Sequence, residues 1–270
     1  MEQDLIYYYK LVMIISNLAS RKPIYGWIPD LPDHRDKLYA RLTPVIPEKL
    51  PAKVDLRPNC SPIQDQGQLG SCTANALAGN LDYLKKQQIK KILDFSRLFI
   101  YYNERVIEHT VNTDSGAMLR DGIKTLVKLG ACLESEWPYD VNKFTIQPTA
   151  KDYSDALNYQ ITSYYRLSGL NELKHTLSQN YPFVFGFSVY ESFESSEVAE
   201  SGIVPLPAKD EQLVGGHAVM AVGFDDQTQQ FIIRNSWGDL WGQNGYCFMP
   251  YEYLTNPNLA SDFWTIRDME

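Results

Sequence analysis

The chain has 270 residues, of which 44% are hydrophobic and 21% charged, and its formal net charge is −8. That length allows a sizeable core in one large or two small domains, and the composition excludes a disordered, fibrous or coiled-coil protein. The acidic balance argues against a nucleic-acid-binding or anionic-membrane-binding surface, which needs clustered basic residues.

The N-terminal stretch is predicted to be an extension of the main domain. The apolar run 11–15 is short and follows Glu2 and Asp4, whereas a secretory signal begins with basic residues, so we expect a segment packed on the body, with a weak secretory signal as the alternative. No run approaches the ~20 apolar residues of a membrane span. Prolines cluster between residues 20 and 60, which predicts extended, irregular chain. We place the domain boundary at residue 50, between an extension (1–49) and a main domain (50–270).

Three helices are predicted next. Apolar residues recur at three- and four-residue spacing over 71–88, and the pattern continues over 95–107, where Ser96 is a candidate N-cap. A third helix is predicted over 118–129, with Gly130 placed to end it.

The second half of the chain is predicted to form strands. Runs rich in β-forming residues occur at 183–189, 218–222 and 231–233, separated by Gly, Asn and Asp. Helices first and strands later predict an α+β fold with two segregated halves, and a cleft between such halves would be a natural ligand site.

Cys72 is the first residue that suggests chemistry. It stands where the helix over 71–88 is predicted to begin, and the positive end of a helix dipole favours the nucleophilic thiolate. The four cysteines contain no C-x-x-C pair, which argues against zinc and dithiol redox sites. Position alone would equally suit a buried structural cysteine.

His217 and Asn235 are the candidate partners of that thiol. His217 heads an apolar strand after two glycines, and a turn between residues 217 and 235 would bring Asn235 beside it. A cysteine nucleophile needs a base, and the base needs a third group that fixes its ring orientation. Alone, His217 would equally suit a structural role.

Together these segments resemble the papain-like (C1) family of cysteine peptidases. His217 lies 145 residues after Cys72 and Asn235 lies 163 residues after it, close to the spacing of that family. The most specific segment, 235–246, reads NSWGDLWGQNGY, and Gln66 precedes Cys72 as the family pattern requires. The resemblance covers about Val54 to Trp264.

The resemblance implies a two-lobed fold, with a helical left lobe and a β-rich right lobe flanking the active-site cleft. It implies Cys72 as nucleophile, His217 as base and acid, Asn235 as the group that orients the imidazole, and Gln66 as an oxyanion-hole donor. Trp241 is implied as structural support. Substrate-binding positions are implied at Gly70, Ser71, Ser115, Gly116, Gly216, Ala218 and Trp237.

The departures from the family pattern are informative. Leu69 and Thr113 replace both halves of one family disulfide, which suggests a bacterial-type or viral-type branch or a less oxidising compartment. Cys60, Cys132 and Cys247 are left without assigned partners, and we expect buried free thiols. The compartment itself stays open.

We expect a cysteine endopeptidase acting through a thioester acyl-enzyme, because no histidine pair of the exopeptidase type follows Tyr139. Part of 20–48 is expected to block the cleft as a short pro-segment, unless it is a permanent structural element. The expected partners are protein or peptide substrates and the chain's own N-terminal segment, with a monomeric state and no metal or organic cofactor. The same residues would also suit a catalytically silent binding protein on this fold, or an amidase or acyl transferase with the same triad.

Overall fold

The structure is a computed structural model that describes residues 24–47 and 49–270. The apolar run 11–15 lies outside the described residues. No helix in the described part of the chain is both long and apolar enough to cross a membrane.

The helices confirm the sequence pattern closely. Ser96 caps its helix by accepting a hydrogen bond from the Phe99 backbone N–H at 3.1 Å, and Gly130 has a positive φ of 69° just beyond the end of its helix. In chain order, the helices are α1 (Tyr39–Leu42), α2 (Cys72–Ile89), α3 (Arg97–Ile107), α4 (Leu119–Lys128), α5 (Ala150–Ala156), α6 (Gly169–Ser178), α7 (Ser196–Ser201) and α8 (Tyr251–Thr255).

Helices α2, α3 and α4 pack together as the helical half of the molecule. Helix α2 is buried from Cys72 through Lys85, so it is the central element rather than a surface helix. Its first turn is therefore held rigidly, which fixes the position of Cys72.

The other half is built around a seven-stranded antiparallel sheet with the order β2-β7-β3-β4-β5-β6, and β1 pairs with β4. In the central pair, Phe187 of β3 lies opposite His217 of β4. The strands are β1 (Lys53–Asp55), β2 (Ile161–Arg166), β3 (Phe183–Tyr190), β4 (Leu213–Asp225), β5 (Gln230–Arg234), β6 (Tyr246–Pro250) and β7 (Ala260–Met269).

Residues 24–38 form a mostly extended segment, here called the strap, that lies between the two halves. Its backbone pairs with Ala117, two residues before α4, and with Arg166 of β2. The proline-rich region is irregular as expected, apart from α1 and β1, which the prolines around them concealed.

Candidate functional site

Cys72 is the first residue of α2, and its side chain is completely buried. Burial raises the pKa of the thiol to about 12, and hydrogen bonding from the backbone N–H groups of Ala218, Gly26 and Thr73 only partly opposes this rise. The sequence predicted that the helix dipole would lower the thiol pKa. This expectation is wrong for the buried thiol, because desolvation has the larger effect.

His217 and Asn235 meet as the sequence predicted, with 2.8 Å between His217 Nε2 and Asn235 Oδ1. The backbone N–H of Ser236 also donates to that oxygen at 2.8 Å, which identifies it as the amide oxygen. His217 Nε2 must therefore carry a proton, and the neutral ring has its lone pair on Nδ1. Within the described residues, Nδ1 has no hydrogen-bond partner, so it is the atom that can accept a proton.

Aromatic rings enclose the imidazole. Trp237 stacks on His217 with ring centroids 4.9 Å apart, and Trp241 and Phe193 pack against Trp237 at 5.2 and 5.6 Å. Burial lowers the pKa of His217 to about 4. Both the thiol and the imidazole are consequently neutral near pH 7 in this structure.

Gln66 lies beside this pair and is fully buried. Its oxygen accepts from the Ser236 hydroxyl at 2.6 Å, so its Nε2 faces the cleft and donates to the carbonyl oxygens of Leu69 and Ile24 at 3.0 and 3.1 Å. Ile24 belongs to the strap. The Gln66 amide thus already holds a peptide carbonyl in the cleft.

The strap backbone crosses the cleft between its two walls. The Ala117 N–H donates to Gly26 O at 2.7 Å, and the Trp27 N–H donates to Gly216 O at 3.0 Å. A Cβ on Gly26 would lie 1.8 Å from Gly70 O, so only glycine fits at this point of the strap. This close passage covers the buried Cys72.

The Trp27 side chain fills a pocket in the sheet half. A Cβ on Gly186 would lie 1.9 Å from the indole, and a Cβ on Gly216 would lie 2.8 Å from it. Both glycines therefore make room for a large ring. Asp262 is almost fully buried and lies within reach of the Trp27 indole N–H.

Some expected substrate-binding positions have other contacts. The Ser71 hydroxyl is buried between the Tyr139 hydroxyl and the Asn75 amide, and the Ser71 backbone is paired as well, its N–H with Leu69 O and its carbonyl with the Asn75 N–H. The Ser115 hydroxyl bonds to Thr110. The Gly70 N–H donates to Asp114.

The expected pairing strip is shifted by one residue. The Gly116 N–H donates to the Tyr101 hydroxyl at 3.1 Å, so the strip that pairs with an extended chain is centred on Ala117. Gly116 still lies directly against the strap, because a Cβ there would be 2.1 Å from Gly26 O.

Sequence reasoning missed Ala117, Gly186 and Asp262. Ala117 follows the Ser115-Gly116 pair and Gly186 interrupts an apolar strand, which was a readable sign of close approach. Asp262 carried no such signal, because its place beside the Trp27 pocket depends on the pairing of β7 with β3.

No group of three or more His, Cys, Asp or Glu side chains in the described ranges could hold a metal ion. All four cysteines are free and buried. Burial raises the pKa of the thiols of Cys60, Cys132 and Cys247.

Comparisons with known proteins agree with this geometry. The model of the family described as "Papain family cysteine protease" matches residues 50–263. The chain is 42% identical over 273 residues to an uncharacterized peptidase C1-like protein of Acanthamoeba polyphaga mimivirus, covering 91% of this chain and 87% of that protein. It is 30% identical to cysteine proteinase 2 of Entamoeba histolytica, over 75% of this chain and 64% of that protein.

Solved structures agree as well. Xylellain, a cysteine protease from Xylella fastidiosa, is 46% identical, superposes with a TM-score of 0.83, and the match covers 93% of this chain and 98% of that chain. Procathepsin B S9 from Trypanosoma congolense has a TM-score of 0.70 at 20% identity, over 92% of this chain and 86% of that chain, and supports the two-lobed fold alone. The chain is a cysteine-type peptidase and belongs to the papain family of cysteine proteases.

Proposed function

We propose that this protein is a cysteine endopeptidase made as a zymogen, in which the strap blocks the cleft until it is displaced or removed. The observation that carries the proposal is the hydrogen bond from the Gln66 amide to the strap carbonyl of Ile24, at 3.1 Å, beside the buried Cys72. A peptide carbonyl of the chain itself therefore takes the Gln66 donor that would serve the oxyanion of a substrate.

The proposed reaction starts with transfer of the Cys72 proton to His217 Nδ1. The thiolate attacks the scissile carbonyl carbon, and the Gln66 amide and the Cys72 backbone N–H stabilise the oxyanion. His217 then returns its proton to the leaving amine, which leaves a thioester on Cys72. Water activated by His217 hydrolyses this thioester and frees the acid.

Asn235 acts on this reaction through the imidazole. Its Oδ1 fixes the proton of His217 on Nε2 at 2.8 Å, which keeps Nδ1 as the basic atom. Trp237 covers the ring and excludes water from that hydrogen bond.

The direction of the strap supports blocking rather than cleavage. A leaving amine must face His217, and Tyr25 lies on that side, 6.1 Å from the His217 ring and 6.2 Å from the Trp237 ring. Trp27 lies on the other side, against Gly186. The strap therefore runs from the leaving-group side to the acyl side, opposite to a substrate, so its peptide bonds face the catalytic atoms in the wrong sense.

Burial under the strap also supports a latent enzyme. Thiol and imidazole are both neutral when the pKa values are about 12 and about 4, and a neutral thiol is a poor nucleophile. Removing the strap would admit water, bring both pKa values back toward each other and favour the thiolate.

The remaining assignments follow from this proposal. Residues 1–49 serve as the pro-segment and residues 50–270 as the peptidase domain, acting as a monomer on protein or peptide substrates. Endopeptidase action fits the absence of adjacent histidines in the sequence, since such a pair would close one end of the cleft in exopeptidase variants.

The test is intact-mass spectrometry with a peptide epoxide that alkylates active-site thiols, applied to reduced wild type and to Cys72→Ala. We expect wild type to lose its N-terminal segment and to take one label, and the variant to do neither. Label without trimming would make the strap a structural element or the target of another protease. A wild type that stays unlabelled even after the strap is removed would favour a silent binding protein.

A further inference from the structure

Beyond Trp27, the strap inserts the side chain of Asp30 into a site built by both halves of the molecule. Its carboxylate accepts from Trp264 Nε1 at 2.9 Å and from the Arg120 backbone N–H at 3.0 Å, and the side chain is 0% exposed. Arg120 is the second residue of α4, so this N–H is a free donor at a helix N-terminus.

Asp36 occupies the adjacent part of the same site. The guanidinium of Arg120 binds it through Nε at 2.9 Å and Nη2 at 2.7 Å, and Arg166 Nη1 adds a third bond at 2.7 Å. Arg120, Arg166 and Trp264 are here called the carboxylate cradle. All three belong to the body of the protein, and both of the carboxylates described above belong to the strap.

Release of the strap would take carboxylate partners away from the two arginines of the cradle. With the strap in place, Arg120 and Arg166 face the carboxylates of Asp30, Asp36 and Asp262, the last bound to Arg166 Nη2 at 2.8 Å. Without the strap, Asp262 is the one remaining carboxylate in contact with these two arginines among the described residues. The Arg120 side chain is only 7% exposed even now, and it would lose its carboxylate partners.

The cradle also lies in line with the cleft. Asp30 is three residues beyond Trp27, and its own N–H donates to Asp262 at 2.8 Å beside the Trp27 pocket. A substrate would run opposite to the strap. Its residue at the cradle would therefore be about three residues N-terminal to the residue that fills the Trp27 pocket.

We propose that the carboxylate cradle is a substrate subsite, which binds an Asp or Glu side chain on the acyl side of the scissile bond once the strap has left. This inference rests on the proposed function, because it requires an accessible cleft. The strap carboxylates show which chemistry the site accepts: planar, charged oxygens facing a guanidinium fork and two N–H donors. The enzyme then prefers peptides with an acidic residue upstream of a large, buried side chain.

The test compares two peptides that differ only by Glu or Gln, placed three residues before an aromatic residue. The enzyme is the full chain carrying Trp27→Ala and Asp36→Asn, which loosen the strap. We expect the Glu peptide to have a kcat/KM about tenfold higher, since hydrogen bonds between charged groups are stronger than neutral ones. This preference should shrink as salt increases.

Substitutions of Arg166 test whether the preference for the Glu peptide arises from the cradle. Adding Arg166→Gln should bring the Glu-to-Gln ratio close to one, and adding Arg166→Lys should leave an intermediate ratio, because lysine keeps the charge and loses the fork. Arg57→Gln is the matched control, since it removes an arginine of another ion pair, with Asp55, and should keep the full ratio.

The outcomes separate the inference from the function on which it rests. Hydrolysis of both peptides at equal rates, or a ratio that Arg166→Gln leaves unchanged, overturns the subsite and leaves the peptidase proposal standing. Hydrolysis of neither peptide by a chain with the loosened strap overturns both.

Discussion

The two ends of the strap are bound to the rest of the protein by different kinds of interaction. Residues 24–28, here called the plug, are bound through backbone hydrogen bonds and the rings of Tyr25 and Trp27. Residues 30–36, here called the anchor, are bound through the carboxylates of Asp30 and Asp36. The plug covers the reactive atoms, whereas the anchor joins α4 and the sheet from outside the reactive centre.

This difference separates inhibition from attachment. Loss of the plug should expose Cys72 even while the anchor holds, because the plug alone lies over the thiol. Loss of the anchor should raise activity only by shifting the equilibrium between bound and released strap. Substitutions in the plug and in the anchor should therefore differ in how much they raise activity and in how that rise depends on pH.

The largest effect is expected from Trp27→Ala. Truncating a buried tryptophan typically costs about 3–5 kcal/mol, which corresponds to a shift in strap release of about 10²-fold to several thousandfold. Peptide hydrolysis by chains with an intact N-terminus should rise accordingly. Leu31→Ala is the matched control, because that strap side chain is 67% exposed and its loss should change little. Equal rates in both variants would contradict the role of the plug.

A smaller rise is expected from Asp36→Asn. This change removes the charge that Arg120 and Arg166 bind, and hydrogen bonds to charged groups contribute about 1.5–3 kcal/mol each before compensation. Strap release should increase about tenfold to a hundredfold, measured as the rate of Cys72 labelling by the peptide epoxide. Asp33→Asn is the control, since Asp33 lies on the same segment but forms its ion pair with the exposed Arg35. A labelling rate unchanged from wild type would mean that the anchor is dispensable.

The pH dependence of labelling should distinguish the covered thiol from the free one. Burial raises the pKa of Cys72 to about 12, so the thiolate fraction in the covered state grows about tenfold for each pH unit below that value. Alkylation of wild type by iodoacetamide should rise steeply from pH 6 to 9. The Trp27→Ala profile should be flatter and shifted to lower pH; two parallel profiles would contradict the burial argument.

The smallest expected effect is the change in strap release when the pH is lowered. Burial lowers the pKa of His217 to about 4, so releasing the plug takes up a proton and acid between pH 6.5 and 4 favours release. Burial and the neighbouring Asp30 raise the pKa of Asp262 to about 6, so releasing the anchor gives up a proton and acid favours binding. In wild type these effects oppose each other.

Asp30→Asn weakens the opposing effect of the anchor, because it removes the charge that helps burial to raise the pKa of Asp262. Its strap should be released about two- to fivefold more at pH 5 than at pH 7 relative to wild type. Amide exchange of Trp27 and Ile28, corrected for the intrinsic rate at each pH, measures this release. An Asp30→Asn strap that binds more tightly at pH 5 would show that the signs have been assigned wrongly.

Local signals in the sequence predicted much of this molecule. The stripe over 71–88, the cap at Ser96 and the stop at Gly130 each act within one helix, so they could be read without the fold. The meeting of His217 and Asn235 was also predictable, because one turn between neighbouring strands joins them.

Features that depend on distant pairing were not predictable. The shift of the pairing strip to Ala117 arises because the Tyr101 hydroxyl from α3 occupies the Gly116 N–H. The cradle joins Arg120 and Arg166 from elements far apart in sequence with Trp264 of β7. The shift of the thiol pKa was predicted in the wrong direction. The dipole of α2 acts within one helix and can be read from the sequence, whereas the strap that desolvates Cys72 is distant in sequence.

The proposal that the strap occupies the place of a substrate can be tested by hydrogen exchange in the strap, before and after Cys72 is alkylated by the peptide epoxide. Chains that carry one label and an intact N-terminus are compared with unlabelled chains. We expect the amides of Trp27 and Ile28, which donate to Gly216 and Ala117, to be protected before labelling and to exchange freely afterwards. Equal protection in both states would contradict it, because the strap and a substrate-like ligand would then occupy different places.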